Sequence, residues 1–302
     1  MLLSARCLTL CLVASLYASA QNSDSVMLPD SAIKVSEHVY AMMGFPNVAI
    51  VVGSRATLVV DTGMGPRNGA AVMRQVEKLA KGSNLYLTTT HYHAEHVTGE
   101  QAFPDRTVLI RPTVQQADMD KRAAPFIAMF RSRSPEWDSL LKDVKLRPPD
   151  LVFDREITLD LGGVTARLFW LGAAHTAGDE LIFVEPDSAL IPGDVVQNKM
   201  VPFMPAGETS VKNWIAILDK LEPLKPRYIV PDHGPLGDGS LIAKYRAFFV
   251  ELRSRALELK HKGTPVDDAA RTLTAELKAK YPDWEAPNNI GNGVRRVYDE
   301  SE

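Results

Sequence analysis

Short apolar, β-branched runs bounded by Gly, Pro and polar breaks recur along the chain, and between them lie longer stretches whose apolar positions return every three or four residues. The first pattern predicts strands; the second predicts amphipathic helices. Residues 39–43, 48–52 and 57–60 read as short strands that open a sheet as a meander. Residues 68–79 follow as a helix with Ala71, Val72, Val76 and Leu79 on one face, and 85–90 as a buried strand ending in Thr88-Thr89-Thr90. A strand is predicted over 107–110, then helices over 114–129 and 137–144, joined by a break containing Arg, Ser and Pro. Strand signals return at 156–159, 164–168, 181–184 and 189–191. Helices are predicted over 211–221, 241–261 and 266–280, with a short strand at 228–230 between the first two. Strand-rich blocks interleaved with helices imply an α/β fold in layers, the helices packed outside the sheets. No internal repeat or low-complexity tract interrupts this pattern.

Composition narrows the reading only modestly. The 302 residues suffice for one large α/β domain or two small ones. With 45% hydrophobic and 24% charged residues and a formal charge of -3, the chain has an ordinary globular composition and no basic excess to bind nucleic acid. The first twenty residues combine Arg6, an apolar run from Cys7 to Tyr17 and a small-x-small end, Ala18-Ser19-Ala20, which predicts a signal peptide over 1–20. The run is shorter than the roughly 20 apolar residues of a spanning helix. The expectation is therefore an exported protein, periplasmic or secreted, with no integral membrane segment after cleavage. Cys7 and Cys11 both fall inside this segment, so the mature chain is expected to have no disulfide and no thiolate ligand or nucleophile.

The chemistry concentrates in His91-Tyr92-His93-Ala94-Glu95-His96, four potential metal ligands in six residues directly after a predicted strand. Imidazole nitrogens need partners, and three imidazoles beside a carboxylate are costly in a core without an occupant. His175 and His233 each sit in a turn after an apolar strand, where loops carry function on a rigid scaffold. Each is weak evidence alone. Asp194, in Pro192-Gly193-Asp194, also follows an apolar strand. Imidazole nitrogens with carboxylate oxygens suit zinc, and also iron or manganese, and seven such groups are enough for two ions.

The order H-x-H-x-E-H, then His in H-T-A-G-D, then Gly-Asp after a strand, then a Gly- and Pro-flanked His, resembles the metallo-β-lactamase superfamily over residues 35–239. Asp61-Thr62-Gly63 looks like that family's early turn beneath the metals. The resemblance implies an αββα sandwich with the site at one edge of the two sheets. It also implies a catalytic domain over 21–240, with residues 241–302 as a C-terminal helical extension on the same domain. By the same resemblance His91, His93 and His175 bind one ion, Glu95, His96 and His233 a second, and Asp194 bridges them. Asp61 accepts a hydrogen bond from a ligand imidazole and fixes its tautomer, while Thr176 and Asp179 are structural supports.

Two positions depart from the family. Glu95 stands where Asp is usual, which puts the geometry and occupancy of the second ion in question. Asp194 stands where true β-lactamases carry Cys or Ser, whereas thioesterases, lactonases and phosphodiesterases carry the bridging Asp. The implied activity is metal-dependent hydrolysis, by hydroxide held on two zinc ions, of an ester, lactone, thioester or amide-type bond in a small-molecule substrate. Glu95 and Asp194 are the candidate catalytic carboxylates, Glu95 moving a proton near the second ion. Three alternatives carry less support: β-lactamase activity, a mononuclear-iron oxidoreductase acting on a sulfur compound, and a non-catalytic binding protein. Candidate pocket walls are Phe126, Met129, Phe130 and Trp137, and Met200, Phe203 and Met204. No Arg or Lys cluster adjoins the motifs in sequence.

Overall fold

A computed structural model describes residues 26–300. The predicted signal peptide, with Cys7 and Cys11, lies outside the described residues. Strands β1 (Ile33–Lys34), β2 (Val39–Met42), β3 (Val48–Val52) and β4 (Ala56–Val60) form an antiparallel meander. Helix α1 (Gly65–Leu79) crosses over to β5 (Asn84–Thr88), which pairs parallel to β4. A single turn of helix, α2 (Ala94–Val97), leads on to β6 (Val108–Pro112). Helices α3 (Thr113–Arg131) and α4 (Pro135–Leu141) then precede β7 (Leu151–Phe153), which closes a seven-stranded sheet in the order β1 to β7.

The second sheet starts with β8 (Glu156–Asp160), β9 (Thr165–Trp170), β10 (Glu180–Glu185) and β11 (Ala189–Ile191). Helix α5 (Val211–Leu221) follows, then β12 (Tyr228–Ile229), which pairs parallel to β11 and completes five strands ordered β12-β11-β10-β9-β8. Helices α6 (Ser240–His261), α7 (Val266–Lys280) and α8 (Asn289–Asp299) end the described chain.

Three apolar layers account for this stacking. Between the sheets, Val51, Leu58 and Val60 of the first meet Leu168, Ile182 and Val184 of the second. The outer face of the first sheet, including Ile50, Val59 and Leu87, packs on Ala71, Val72 and Val76 of α1. The outer face of the second packs on α5 to α8 through Trp214, Phe248, Leu273 and Val294. Strands β3 and β4 are buried along their whole length, which is why they read as unbroken apolar runs without alternation. The result is the expected helix-sheet-sheet-helix sandwich, and the C-terminal helices share one core with the second sheet. Among the described residues, no helix is long and apolar enough to cross a membrane.

Several boundaries differ from the sequence reading. The strand predicted over 85–90 stops at Thr88, so Thr89 and Thr90 leave the sheet and become part of the site. Helix α1 starts three residues earlier than its periodicity suggests, because Pro66 supplies a preset φ at its first turn. Strands β1 and β7 were too short to register as patterns.

Candidate metal centre

Five chain crossings deliver the candidate residues to one edge of the sandwich. Asp61 follows β4, the run from His91 to His96 follows β5, His175 follows β9, Asp194 follows β11 and His233 follows β12. Each lies past the carboxyl end of its strand, the position where loops on a rigid sheet carry chemistry. All seven predicted ligands are 5% exposed or less.

Local hydrogen bonds fix each turn. His93 occupies the N-cap position of α2, and the Thr62 hydroxyl and amide both donate to the His96 carbonyl, tying α2 to the turn after β4. Asp179 accepts from the amides of Ala174, His175 and Thr176 and from the Thr176 hydroxyl, which holds the His175 turn as the sequence suggested. The Trp214 indole donates to the Val195 carbonyl at 2.8 Å and anchors the turn carrying Asp194. Asn47, which sequence reasoning missed, donates from its side chain to the carbonyls of Pro231 and Gly234 and from its backbone to Asp232, bracing the His233 turn. Its signal was weak: one Asn after a Pro in a loop.

The ligand atoms converge. Groups within 4.8 Å of one another include His91, His93 and His175; Glu95, His96 and His233; and His91, His96 and Asp194. Asp194 lies between the first two groups, one oxygen 3.2 Å from His175 Nε2 and the other 3.3 Å from His233 Nε2. Glu95, despite its longer arm, reaches the second group, with Oε1 4.0 Å from His96 Nε2.

These residues fit divalent cations by a test internal to the site. Nε2 of His91 and of His96, Oε2 of Glu95 and Oδ1 of Asp194 are buried without a hydrogen bond. Nδ1 of His93 and Nε2 of His175 face each other at 3.2 Å. Buried polar atoms in native proteins have partners, and nitrogen and oxygen donors grouped at this spacing suit zinc, iron or manganese.

Behind the donors sits a layer of acids. Asp61 Oδ2 is 3.0 Å from His96 Nδ1, and the same carboxylate accepts from the Thr90 amide at 2.7 Å. Asp232 was missed: its Oδ2 is 3.3 Å from the same His96 nitrogen and accepts from the Thr90 hydroxyl at 2.7 Å. It reads in sequence as one more polar residue of a turn. Burial opposes charge on His96, yet Asp61 and Asp232 hold its pKa well above the usual range. Burial and the neighbouring imidazoles hold His91 and His93 well below theirs. Burial also lowers His175 to about 4 and raises the Glu95 carboxyl to about 7, the latter against the pull of His96.

A cavity of about 290 Å³ opens over the cluster, with His93, Glu95, Asp194 and His233 at its floor. Phe126, Phe130, Met200 and Phe203 line it as the sequence suggested, joined by Phe45 and Val201. Three predicted wall residues do not reach it. Met129 points to solvent at 36% exposure, Met204 is in the core under α8, and Trp137 packs behind Phe45 and Phe130. Ala286 and Asn289 of the C-terminal extension complete the wall, held there because the Val201 amide donates to the Glu285 carbonyl, the Glu285 amide donates to the Lys199 carbonyl, and the Asn289 side chain donates to the Val201 carbonyl.

The family model described as "Metallo-beta-lactamase superfamily" matches residues 42–233, which contain every one of these ligand residues. The chain belongs to this superfamily. Its relatives include "Metallo-beta-lactamase type 2" of Bacteroides fragilis, 27% identical over 106 residues, 34% of this chain and 43% of that one; the match thus spans less than half of that relative. Among solved structures, a metallo-beta-lactamase from Pontibacter korlensis superposes with a TM-score of 0.60 at 18% identity, over 72% of this chain and 98% of its own. The stereoselective inverting sec-alkylsulfatase Pisa1 from Pseudomonas sp. gives 0.70 at 17% identity, over 88% of this chain and 50% of its own. At these identities the superpositions speak for the shared superfamily fold.

Proposed function

We propose that the protein is a metal-dependent hydrolase cleaving an ester, lactone, thioester or amide-type bond. The observation that carries this is the set of bare, buried donor atoms on His91, His96, Glu95 and Asp194 beneath an open apolar cavity. His91, His93 and His175 would hold one divalent cation and Glu95, His96 and His233 a second, with Asp194 available to either from between the two groups; zinc is the assignment that the donors favour. Such ions acidify water and polarise a scissile carbonyl oxygen. Asp61 and Asp232 keep the proton of a neutral His96 on Nδ1, leaving Nε2 as the donor atom. Glu95 takes and returns a proton at its carboxylate. Phe126, stacked on His93 with ring centroids 4.0 Å apart, fixes that imidazole and keeps the substrate side dry. Export to the periplasm or beyond completes the proposal.

Elemental analysis and turnover test it together. Two zinc ions per chain are expected, with hydrolysis of one or more members of an ester, lactone, thioester, β-lactam and sulfate-ester panel, abolished by chelation. His93→Ala should leave a folded protein with turnover reduced by orders of magnitude. Full turnover by that variant, or one iron per chain with oxygen uptake, overturns the reading.

A further inference from the structure

Helix α3 and the residues just after it carry three arginines of different situation. Arg122 pairs with Asp118 and Glu208, and Arg131 pairs with Asp138. Arg133 has no carboxylate partner among the described residues. Instead its guanidinium lies over two rings, 4.3 Å from the centroid of Phe130 and 5.2 Å from that of Trp137. Stacking of this kind orients the group while leaving its N–H donors free. Arg133 is also the one Lys or Arg among the described residues that line the cavity. Its charge is felt at the floor, by both His93 and Glu95. The rest of the wall is mainly apolar, with Phe45, Phe126, Phe130, Met200, Val201 and Phe203, and its other polar members, Gln197 and Asn289, carry no charge.

We infer that the substrate is an amphiphilic monoanion: an apolar body fills the aromatic cavity while one carboxylate or sulfonate-like group, remote from the scissile bond, is held by Arg133. A polyanion is disfavoured because Arg133 is the one Lys or Arg among the described residues that line the cavity, so a second remote anionic group would find no basic side chain there. Arg133 is exposed, so its N–H donors are hydrated and open to an incoming anion. The inference names the substrate class for the hydrolase proposed above and rests on that reading only for its turnover arm.

The test pairs turnover with binding in the metal-loaded protein. Two para-nitrophenyl esters of matched length, the hexanoate and the mono-ester of adipic acid, differ in a distal carboxylate. Two fluorescent ligands, anilinonaphthalene sulfonate and N-phenylnaphthylamine, differ in a sulfonate. Wild type should prefer the anion of each pair, and Arg133→Gln should reduce both preferences roughly tenfold, the scale of a hydrogen-bonded charge. The loss should appear in KM and Kd rather than kcat. Arg133→Lys should keep part of the preference, and Arg131→Gln, which removes a cation outside the cavity, should keep all of it. Equal loss for charged and neutral ligands, or an unchanged preference in Arg133→Gln, overturns the inference. Cleavage of neither ester with a dye preference that follows Arg133 sinks the hydrolase reading and keeps the anion site; cleavage with no charge preference does the reverse.

Discussion

Asp61→Asn isolates the role of a single proton. Asp61 is fully buried, accepts from the Thr90 amide at 2.7 Å, and lies 3.0 Å from both the Thr90 hydroxyl oxygen and His96 Nδ1. It also adopts a φ of 67°, a left-handed conformation that Asn tolerates, so the variant keeps both volume and backbone. A carboxylate can only accept, which places the proton of a neutral His96 on Nδ1. An amide nitrogen at the same point donates, and drives that proton to Nε2, the atom that must bind a cation. Asp232 remains 3.3 Å away as a second acceptor, so the loss is partial. Removing the partner that orients a ligand imidazole costs about 10- to 100-fold in affinity, or about 1.4 to 2.7 kcal/mol. Weakened bonds to Thr90 should lower global stability by about 1–3 kcal/mol. Asp61→Ala should lose about 1–2 kcal/mol more, because Ala does not favour a left-handed φ. Competition between the zinc-loaded variant and a chromophoric chelator measures the effect. The ion assigned to His91, His93 and His175 should keep its affinity, while that assigned to Glu95, His96 and His233 should weaken. Two ions held as tightly as in wild type refute the tautomer argument, and equal weakening of both refutes its restriction to His96.

Two further outcomes follow from the same geometry. Glu95, raised to about 7 by burial, and His96, held above its usual range despite burial, must each lose a proton to bind a cation near neutral pH, whereas His91, His93 and His175 are already neutral well below it. As pH falls below about 7, affinity of the second ion should drop by about tenfold per unit per displaced proton while the first is retained toward pH 5; elemental analysis after desalting across that range checks this, and one shared release midpoint contradicts it. Gly234, next to His233, has a φ of 86°, and a Cβ there would overlap the Asn198 carbonyl oxygen. Gly234→Ala should therefore destabilise the fold by about 2 kcal/mol or more and weaken the second ion, measured by chemical denaturation and zinc titration; wild-type values for both would show that the turn yields freely.

What the sequence revealed depended on whether a residue's role is local or convergent. Helix α5 has the predicted bounds because Val211, Trp214, Leu218 and Leu221 repeat on one buried face. Helix α8 escaped notice as a separate element because Asn289–Asp299 contains two glycines and few apolar residues, and its helicity comes from burial of Ile290, Val294 and Val297 against α6 and α7. The candidate ligands were legible because chemistry limits such positions to a few residue types, and the fold brings all seven to one cluster. Asn47, Asp232 and Arg133 were not, since each is brought to the site from a distant part of the sequence and each residue type is common in loops. The absence of a basic cluster beside the motifs was a correct observation about the sequence, and the fold nevertheless brings one arginine to the cavity from the break after α3.

The hydrogen bonding of the cluster separates a ligand site from an ordinary buried polar network. In a structural network every donor and acceptor finds a protein partner, because each unpaired buried group costs about 1–3 kcal/mol. Here the two faces of the same residues behave differently. On one side His96 Nδ1 meets Asp61 and Asp232, and His91 Nδ1 meets the Thr90 hydroxyl at 3.2 Å. On the other, Nε2 of both imidazoles is bare. At His96 and His91 a network built for stability alone would have no reason to satisfy the outer nitrogen, with two carboxylates or with a hydroxyl, and leave the inner one unpaired. The asymmetry is what cation binding requires, since the acid layer sets which nitrogen carries the proton and the bare nitrogen supplies the lone pair. Glu95 belongs to the same cluster despite its longer arm: it sits in the first turn of α2, which begins at Ala94, and its carboxylate lies within 4.8 Å of donor atoms on His96 and His233.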